Sequence, residues 1–350
     1  MTTRASNIGP SKGPKLIFSD MSVVLPGFLL CSVIAAAASF VAGQYGGPTF
    51  LYALLIGIAF HFLSDNHKCI PGIEMSAKKL VRIGVALLGV RIAISDVNAI
   101  GAVGVVALAG AVVLTIGFSL LLARLLKLPS MLGLLSGGAT GICGISAAMA
   151  ISSTLPQNRD NEHFTLLTAI GVASFSTVAM VLYPLVVSVL GLTNAEAGLF
   201  LGGSIHDVAQ VVGAGFMISS EVGDSATLAK MFRVAMLMPV VVLFAFAFRS
   251  AREASGEDAV SKQPIVPFFL VVFIGLVTVN SMGWIPPEAV TLSSDISKWC
   301  LVISIAALGV KTSFEKLSEL GWKPIILLLG NAVFIAMYML AVVYLSRFIS

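Results

Sequence analysis

Long apolar segments dominate this chain of 350 residues and constrain its fold more than any other feature. Most of them approach the roughly 17–25 residues that a helix needs to cross a membrane. Charged residues make up only 11% of the chain, against roughly 25% in soluble domains. The sequence therefore predicts an all-α polytopic membrane protein, with residues 1–22 as a polar tail and residues 23–350 as one transmembrane domain. We place eleven apolar segments, at about residues 23–43, 48–63, 78–95, 100–123, 130–154, 164–190, 197–219, 226–248, 264–282, 296–314 and 323–346.

Charge and cysteine content exclude several classes of protein. The formal net charge of +4 is small and gives no reason to expect a nucleic-acid partner. The four cysteines show no CxxC pair or other metal-ligand spacing, so we expect no metal site and no cofactor. A Walker motif is also missing from the sequence, which indicates that ATP is not the direct source of energy.

The distribution of Lys and Arg predicts how the chain is oriented. These residues follow the second, fourth, eighth and tenth segments, whereas the loops at 43–48 and 283–294 contain none. Because cytoplasmic loops are enriched in Lys and Arg, the pattern places the N-terminus in the cytoplasm and the C-terminus outside. Arg347, at the outer end of the last segment, disagrees with this pattern.

Two segments of the chain resemble each other at a fixed offset. "IGVALLGVRIAISDVNAIG" at 83–101 aligns without a gap with "ISIAALGVKTSFEKLSELG" at 303–321, an offset of 220 residues. Arg91 aligns with Lys311, directly after a shared Leu-Gly-Val. The two copies lie seven crossings apart, so they run in opposite directions. The sequence thus predicts an inverted repeat that relates 78–123 to 296–346, which is an architecture of secondary transporters.

Two glycine-rich stretches interrupt the apolar pattern. "SGGATGICGISAAMAIS" at 136–152 and "GGSIHDVAQVVGAGFMIS" at 202–219 both contain a Gly-Gly pair and end in Ile-Ser. Glycine at this density disfavours a continuous helix, and broken backbone inside a membrane is tolerated only within protein or against a water-filled cavity. We therefore predict two discontinuous helices, which either cross the membrane or re-enter it. If both re-enter, the first dips in from the cytoplasm, the second from outside, and their tips meet near the midplane.

The breaks in these helices are the predicted binding site. N-terminal ends of half-helices offer free N–H groups and a positive dipole end to an anion, and glycine would let these groups face a common cavity. The alternative is that the small residues serve close helix packing. The expected site residues in the two stretches are Ser136, Gly137, Gly138, Thr140, Gly141, Ile142, Cys143, Gly144, Ser204, His206 and Gln210.

Ionisable residues within membrane segments are functional candidates. His206 and Asp207 are central in the seventh segment, and both are expected to serve ion coupling. Arg91 and Lys311 are expected to flank an anion path, although both lie close enough to segment ends for snorkelling. Lys230 and Arg233, which we place near the outer end of the eighth segment, can also snorkel, and neither is included in the expected site.

Several blocks of the sequence resemble one family of bacterial proteins. "LVRIGVALLGVRI", "GATGICGISAAMA", "GGSIHDVAQVVGAG" and "KMFRVAMLMPVV" are similar, in this order, to blocks of the YeiH-like family, which is named for sulfate export. The resemblance implies a transporter of the bacterial inner membrane and kinship with the inverted-repeat fold of sodium/proton antiporters and bile-acid symporters. Two short motifs of the family map onto Ile142, Cys143 and Gly144, and onto Ile205, His206, Asp207, Ala209 and Gln210.

The residues and the resemblance together predict a secondary active transporter. It would move a small anion, such as sulfate or a related sulfur oxyanion or sulfonate, by alternating access within the lipid bilayer, coupled to a proton or a sodium ion. A cation/proton antiporter with Asp207 as the ion ligand is the alternative. A membrane enzyme using Cys143 and His206 would need a third group to orient them, which the sequence does not supply. A channel and a homodimer both remain open.

Overall fold

A computed structural model describes residues 16–156, 159–249, 267–312 and 321–349, and these are helical, without a β-strand. Six helices are long and apolar enough to cross a membrane, and three shorter helices are also strongly apolar. The protein is therefore a multi-pass membrane protein. The six long candidates are Ser22–Tyr45, Gly101–Leu125, Arg159–Leu190, Ser220–Ala247, Pro287–Lys311 and Trp322–Arg347.

We number the described helices in chain order. They are α1 (Leu16–Tyr45), α2 (Thr49–Ala59), α3 (Ile70–Met75), α4 (Val81–Leu88), α5 (Ile94–Leu125), α6 (Ser130–Gly141), α7 (Ile145–Ser152), α8 (Arg159–Leu190), α9 (Asn194–Ser204), α10 (Val208–Ile218), α11 (Ser220–Ala235), α12 (Leu237–Ala247), α13 (Phe268–Ser281), α14 (Pro287–Lys311) and α15 (Trp322–Ile349). A π-helical turn at Ser76–Leu80 joins α3 to α4.

The helices form two groups, which we call the scaffold group and the hairpin group. The scaffold group contains α1 to α4, α13 and α14, with α14 packed against α2, α4 and α1. Backbone approach is close there: a Cβ atom added to Gly57 on α2 would lie 2.5 Å from the carbonyl oxygen of Ala306 on α14. The hairpin group contains α5 to α12 and α15, and it contacts the scaffold group mainly through α10.

Helix positions agree with the offset of 220 residues found in the sequence. Residues 49–59 of α2 correspond to 269–279, which lie within α13. Gly101 and Gly321, which align in the sequence, both have a positive φ, of 67° and 79°. Gly101 lies within α5, and Gly321 directly precedes α15. Non-glycine residues rarely adopt this conformation. The inverted relation between the two copies stays a prediction, to be tested by superposing α4–α5 on α14–α15.

The first glycine-rich stretch is a helical hairpin. A Cβ atom added to Gly138 on α6 would overlap the Cδ1 atom of Ile151 on α7. If α6 and α7 were collinear, these residues would lie about 20 Å apart, at about 1.5 Å per residue. The side chain of Asn161, at the start of α8, also donates to the carbonyl oxygen of Ser152 at 3.0 Å. The chain therefore reverses between α6 and α7.

The second glycine-rich stretch reverses in the same way. Asn194, at the start of α9, donates to the Oε2 atom of Glu221 at 2.6 Å, although 27 residues separate them. Glu221 lies in the first turn of α11, three residues after the end of α10, so the start of α9 and the end of α10 lie close together. Both stretches are therefore helical hairpins, which is the geometry that re-entry into a membrane requires.

Candidate functional site

The tips of the two hairpins meet at a buried lysine. The tips are residues 142–144, between α6 and α7, and residues 205–207, between α9 and α10. Lys230 on α11 is fully buried, and its Nζ atom donates to the carbonyl oxygens of Ile142 and Ile205 at 2.8 Å and of His206 at 2.6 Å. All three protons of the ammonium group are thus used, and the two hairpins share one cation.

A buried arginine one turn further along α11 makes the same connection. Arg233 is 0% exposed. Its guanidinium donates to carbonyl oxygens of α6 and of the α9 end, at 2.6–3.0 Å, namely those of Thr140, Gly141, Gly202 and Ile205. The last carbonyls of a helix have no partner within the helix and form its negative dipole end. Lys230 and Arg233 therefore satisfy and neutralise the C-terminal ends of α6 and α9 together.

The N-terminal ends of the returning helices face each other beside Asp207. This residue caps α10, since its Oδ1 atom accepts from the N–H of Ala209 at 3.3 Å. Its own N–H donates to the hydroxyl of Ser176 on α8 at 3.1 Å. Gly144, with a φ of 69°, precedes α7 without a side-chain cap, and a Cβ atom there would lie 3.7 Å from the Cβ atom of Asp207. The positive dipole ends of α7 and α10 and the carboxylate of Asp207 thus lie close together at the tips.

Two buried polar side chains, one in the second tip and one a turn beyond it, have atoms without a hydrogen bond. His206 is 1% exposed and Gln210 is 2% exposed. Within the described part of the chain, neither ring nitrogen of His206 nor the Oε1 atom of Gln210 makes a hydrogen bond. Since most buried polar groups in proteins are paired, these atoms are available to a polar ligand at the tips.

The glycine pairs do not face a common cavity, contrary to the expectation from the sequence. A Cβ atom added to Gly137 would lie 2.6 Å from the Cβ atom of Ser119 on α5. Additions to Gly138 and Gly203 would overlap the side chains of Ile151 and Met339, respectively. Both pairs lie inside α6 and α9, before the tips, where their small size lets neighbouring helices approach.

The hydroxyls of the two serines expected in the site, Ser136 and Ser204, have partners within the protein. The Ser136 Oγ atom lies 3.0 Å from the Ser119 Oγ atom, which accepts from Asn331 on α15 at 2.9 Å. Ser204 donates to the carbonyl oxygen of Phe200, one turn back in its own helix. Ser136 and Ser119 thus join α5, α6 and α15 nearly two turns before the first tip, whereas the hydroxyl of Ser204, which directly precedes the second tip, is used within α9. Cys143 is itself a tip residue and is 5% exposed.

The two aligned cations do not lie at the tips. Arg91 pairs with Asp224 on α11, with 2.9 Å between Nη2 and Oδ2, and its guanidinium lies 6.0 Å from the ring of Phe216. It borders a cavity of about 430 Å³ between α2, α10 and α14. Lys311 lies 3.5 Å from the Oε1 atom of Glu74, beside α3. Asp224 precedes Lys230 by six residues, or about 9 Å of helix.

Lys230 and Arg233 were absent from the predicted site. The sequence reading placed them near a segment end because the helix was taken to start at about residue 226. The helix in fact begins at Ser220, capped by the Ser219 side chain, so both cations lie well inside a 28-residue span. Two features of the sequence indicate this arrangement. Ser219 is a residue type that caps helices, which favours a helix start at Ser220, and Lys230 and Arg233 are three residues apart, which places them on one face of that helix.

Comparison with known proteins now assigns the chain. A family model described as conserved hypothetical protein 698 matches residues 26–328. The chain belongs to this family, the UPF0324 membrane proteins. A UPF0324 membrane protein of Chlorobaculum tepidum is 44% identical over 323 residues, which cover 92% of this chain and 90% of that one. One of Rhizobium meliloti is 45% identical, covering 93% and 95% of the two chains.

A third UPF0324 protein, named TauZ, comes from Paracoccus pantotrophus. It is 44% identical over 321 residues, covering 91% of this chain and 95% of its own. Membership of the UPF0324 family is consistent with the resemblance to YeiH-like proteins found in the sequence. The match includes both hairpins, so the tips and their cations lie within the part of the chain that the family shares.

Proposed function

We propose that this UPF0324 protein is a secondary active transporter that moves a small anion by alternating access. The observation that supports this most is the meeting of two hairpin tips at Lys230 and Arg233. We place the protein in the bacterial inner membrane with its N-terminus in the cytoplasm, following the distribution of Lys and Arg. In this arrangement nine segments cross the membrane and the two hairpins re-enter it from opposite sides.

Broken backbone at this depth favours a carrier. Lipid offers no hydrogen bonds, so non-helical backbone persists inside a membrane only where protein or a water-filled cavity supplies them. In secondary transporters, discontinuous helices of this kind form substrate sites near the midplane, often within an inverted repeat. The helix positions that match at an offset of 220 residues are consistent with such a repeat.

The balance of charge at the tips favours an anion over a cation. Lys230 and Arg233 contribute two positive charges, and Asp207 contributes one negative charge when ionised. Two helix C-termini and two helix N-termini add about half a charge each, of opposite sign, and cancel. The tips therefore have an excess of about one positive charge. An anion would neutralise this excess, accepting hydrogen bonds from the N–H groups of α7 and from a ring N–H of His206.

Transport by reconstituted protein tests this proposal. Proteoliposomes loaded with unlabelled sulfate should take up labelled sulfate, and uptake should saturate and compete with methanesulfonate. The measurement is repeated with proton and sodium gradients imposed separately, which identifies the coupling ion. Flux that rises linearly with sulfate concentration would indicate a channel instead. No uptake of any anion from a broad panel would refute the proposal.

A cation/proton antiporter is the second candidate, because of Asp207. This carboxylate is the acidic group at the tips, and it is partly exposed. In that case sodium should exchange for protons in liposomes that contain no permeant anion, and Asp207→Asn should abolish the exchange. Dependence of the flux on sulfate would decide in favour of the anion transporter.

A further inference from the structure

We infer that a dianion binds at the hairpin tips together with about one more proton than a monoanion does, and that Asp207 takes up this proton. The inference rests on the proposed anion site and specifies the coupling at that site. It concerns how many charges the tips can neutralise.

The net charge of the site follows from the ionised groups that meet at the hairpin tips. Lys230 and Arg233 have no contact with solvent, and six backbone carbonyls accept their seven hydrogen bonds. With Asp207 ionised, the excess of about one positive charge matches one negative charge. A dianion would leave one negative charge unbalanced in a site largely removed from water, where unpaired charge is strongly disfavoured. A proton on a nearby group restores the balance.

Asp207 is the group best placed to take that proton. Its carboxylate accepts a hydrogen bond from the backbone of Ala209, and the residue is partly exposed, so water can reach it. The charged and titratable groups near it are Lys230 on α11, Cys143 on the other tip, the adjacent His206, and Arg82 on α4. Arg82 is exposed to solvent and is therefore not part of the buried charge count. Its remaining polar neighbour, Ser176 on α8, is neutral.

His206 is less suited to the same role. Its ring is 1% exposed and lies near both buried cations. An imidazolium there would be a third positive charge in a buried cluster, whereas a proton on Asp207 only removes a negative charge. The two residues can be separated experimentally because either can be changed to an amide of similar size.

The experiment is a calorimetric titration of the purified full-length protein with sulfate and with methanesulfonate. Titrations at one pH in buffers of different ionisation enthalpy give the number of protons taken up with each anion. We expect sulfate to take up about one proton more than methanesulfonate. This difference should fall to about zero in Asp207→Asn. It should remain in Asp224→Asn, which removes an acid of α11 that is paired with Arg91 away from the tips.

Each other outcome overturns a specific statement. Equal proton uptake for the two anions refutes the inference while leaving the anion site intact. The wild-type protein alone decides this outcome. A difference that persists in Asp207→Asn but disappears in His206→Gln assigns the proton to His206 and refutes the role of Asp207. Failure of the wild-type protein to bind either anion, or any other small anion, refutes the proposed function itself.

Discussion

At the scale of single residues, the fully buried Lys230 requires a hydrogen-bond acceptor for every proton of its ammonium group. A charged side chain inside a membrane is costly unless its donors are satisfied, and here each proton of the ammonium group has a backbone carbonyl. The dependence is mutual, because those carbonyls belong to hairpin tips and have no helical partner of their own. Removing the lysine would therefore affect both hairpins at once.

Lys230→Met should lower the stability of the protein markedly. It leaves the buried carbonyls of Ile142 and His206 without a donor, while that of Ile205 keeps Arg233, and each unsatisfied group costs about 1–3 kcal/mol. We expect the thermal unfolding temperature in detergent to fall by several degrees and anion transport to be lost. Lys298→Met on α14 is the matched control, since Lys298 is exposed, and it should unfold at the wild-type temperature. Equal stability of both variants would show that the tips do not need this cation.

At the scale of helices, adjacent glycines on α9 have different neighbours. A Cβ atom added to Gly202 would overlap the backbone carbonyl of Ala226 on α11, whereas one added to Gly203 would overlap the flexible side chain of Met339 on α15. Backbone cannot move aside as a methionine side chain can. Gly202→Ala should thus unfold at a clearly lower temperature than Gly203→Ala. The reverse order in a thermal unfolding assay would contradict this packing.

The sequence predicted the existence of the two breaks but not their form. Hydropathy and glycine content located both stretches, because a break inside an apolar region has a strong compositional signal. Whether the chain crosses or reverses depends on contacts such as Asn194 with Glu221, which no local pattern encodes. The site was only partly predicted for the same reason. Asp207 and His206 were recognised as polar residues in apolar surroundings, whereas Lys230 was judged by a helix start placed about six residues too late.

At the scale of the whole molecule, a few contacts join the scaffold group to the hairpin group. Arg91 on α4 pairs with Asp224 on α11, and the rings of Phe50 on α2 and Phe216 on α10 lie 5.8 Å apart. A cavity of about 430 Å³ lies beside these contacts, between α2, α10 and α14. If the two groups move relative to each other during transport, these contacts stabilise one of the states.

Breaking the ion pair should therefore alter transport in a non-additive way. Partly exposed ion pairs contribute about 0.2–1 kcal/mol, so Arg91→Ala and Asp224→Ala should each change the rate of anion exchange by up to about fivefold. The double variant should behave like either single variant, because all three lack the same contact. Should Arg91→Ala slow exchange while Asp224→Ala accelerates it, Arg91 would instead attract the anion directly, as its position in the sequence first indicated.

The shared cations also set an order of events during biosynthesis. The hairpin α6–α7 leaves the ribosome about 90 residues before Arg233, the residue that satisfies the carbonyls of Thr140 and Gly141. Two cations near the centre of one span each oppose insertion by about 2.5–3.5 kcal/mol on the translocon scale. The early hairpin needs α11 to satisfy its backbone, and α11 needs both hairpins to enter the bilayer at low cost. We therefore expect the two hairpins and α11 to stay together at the translocon until all three have been synthesised, and then to enter the membrane together.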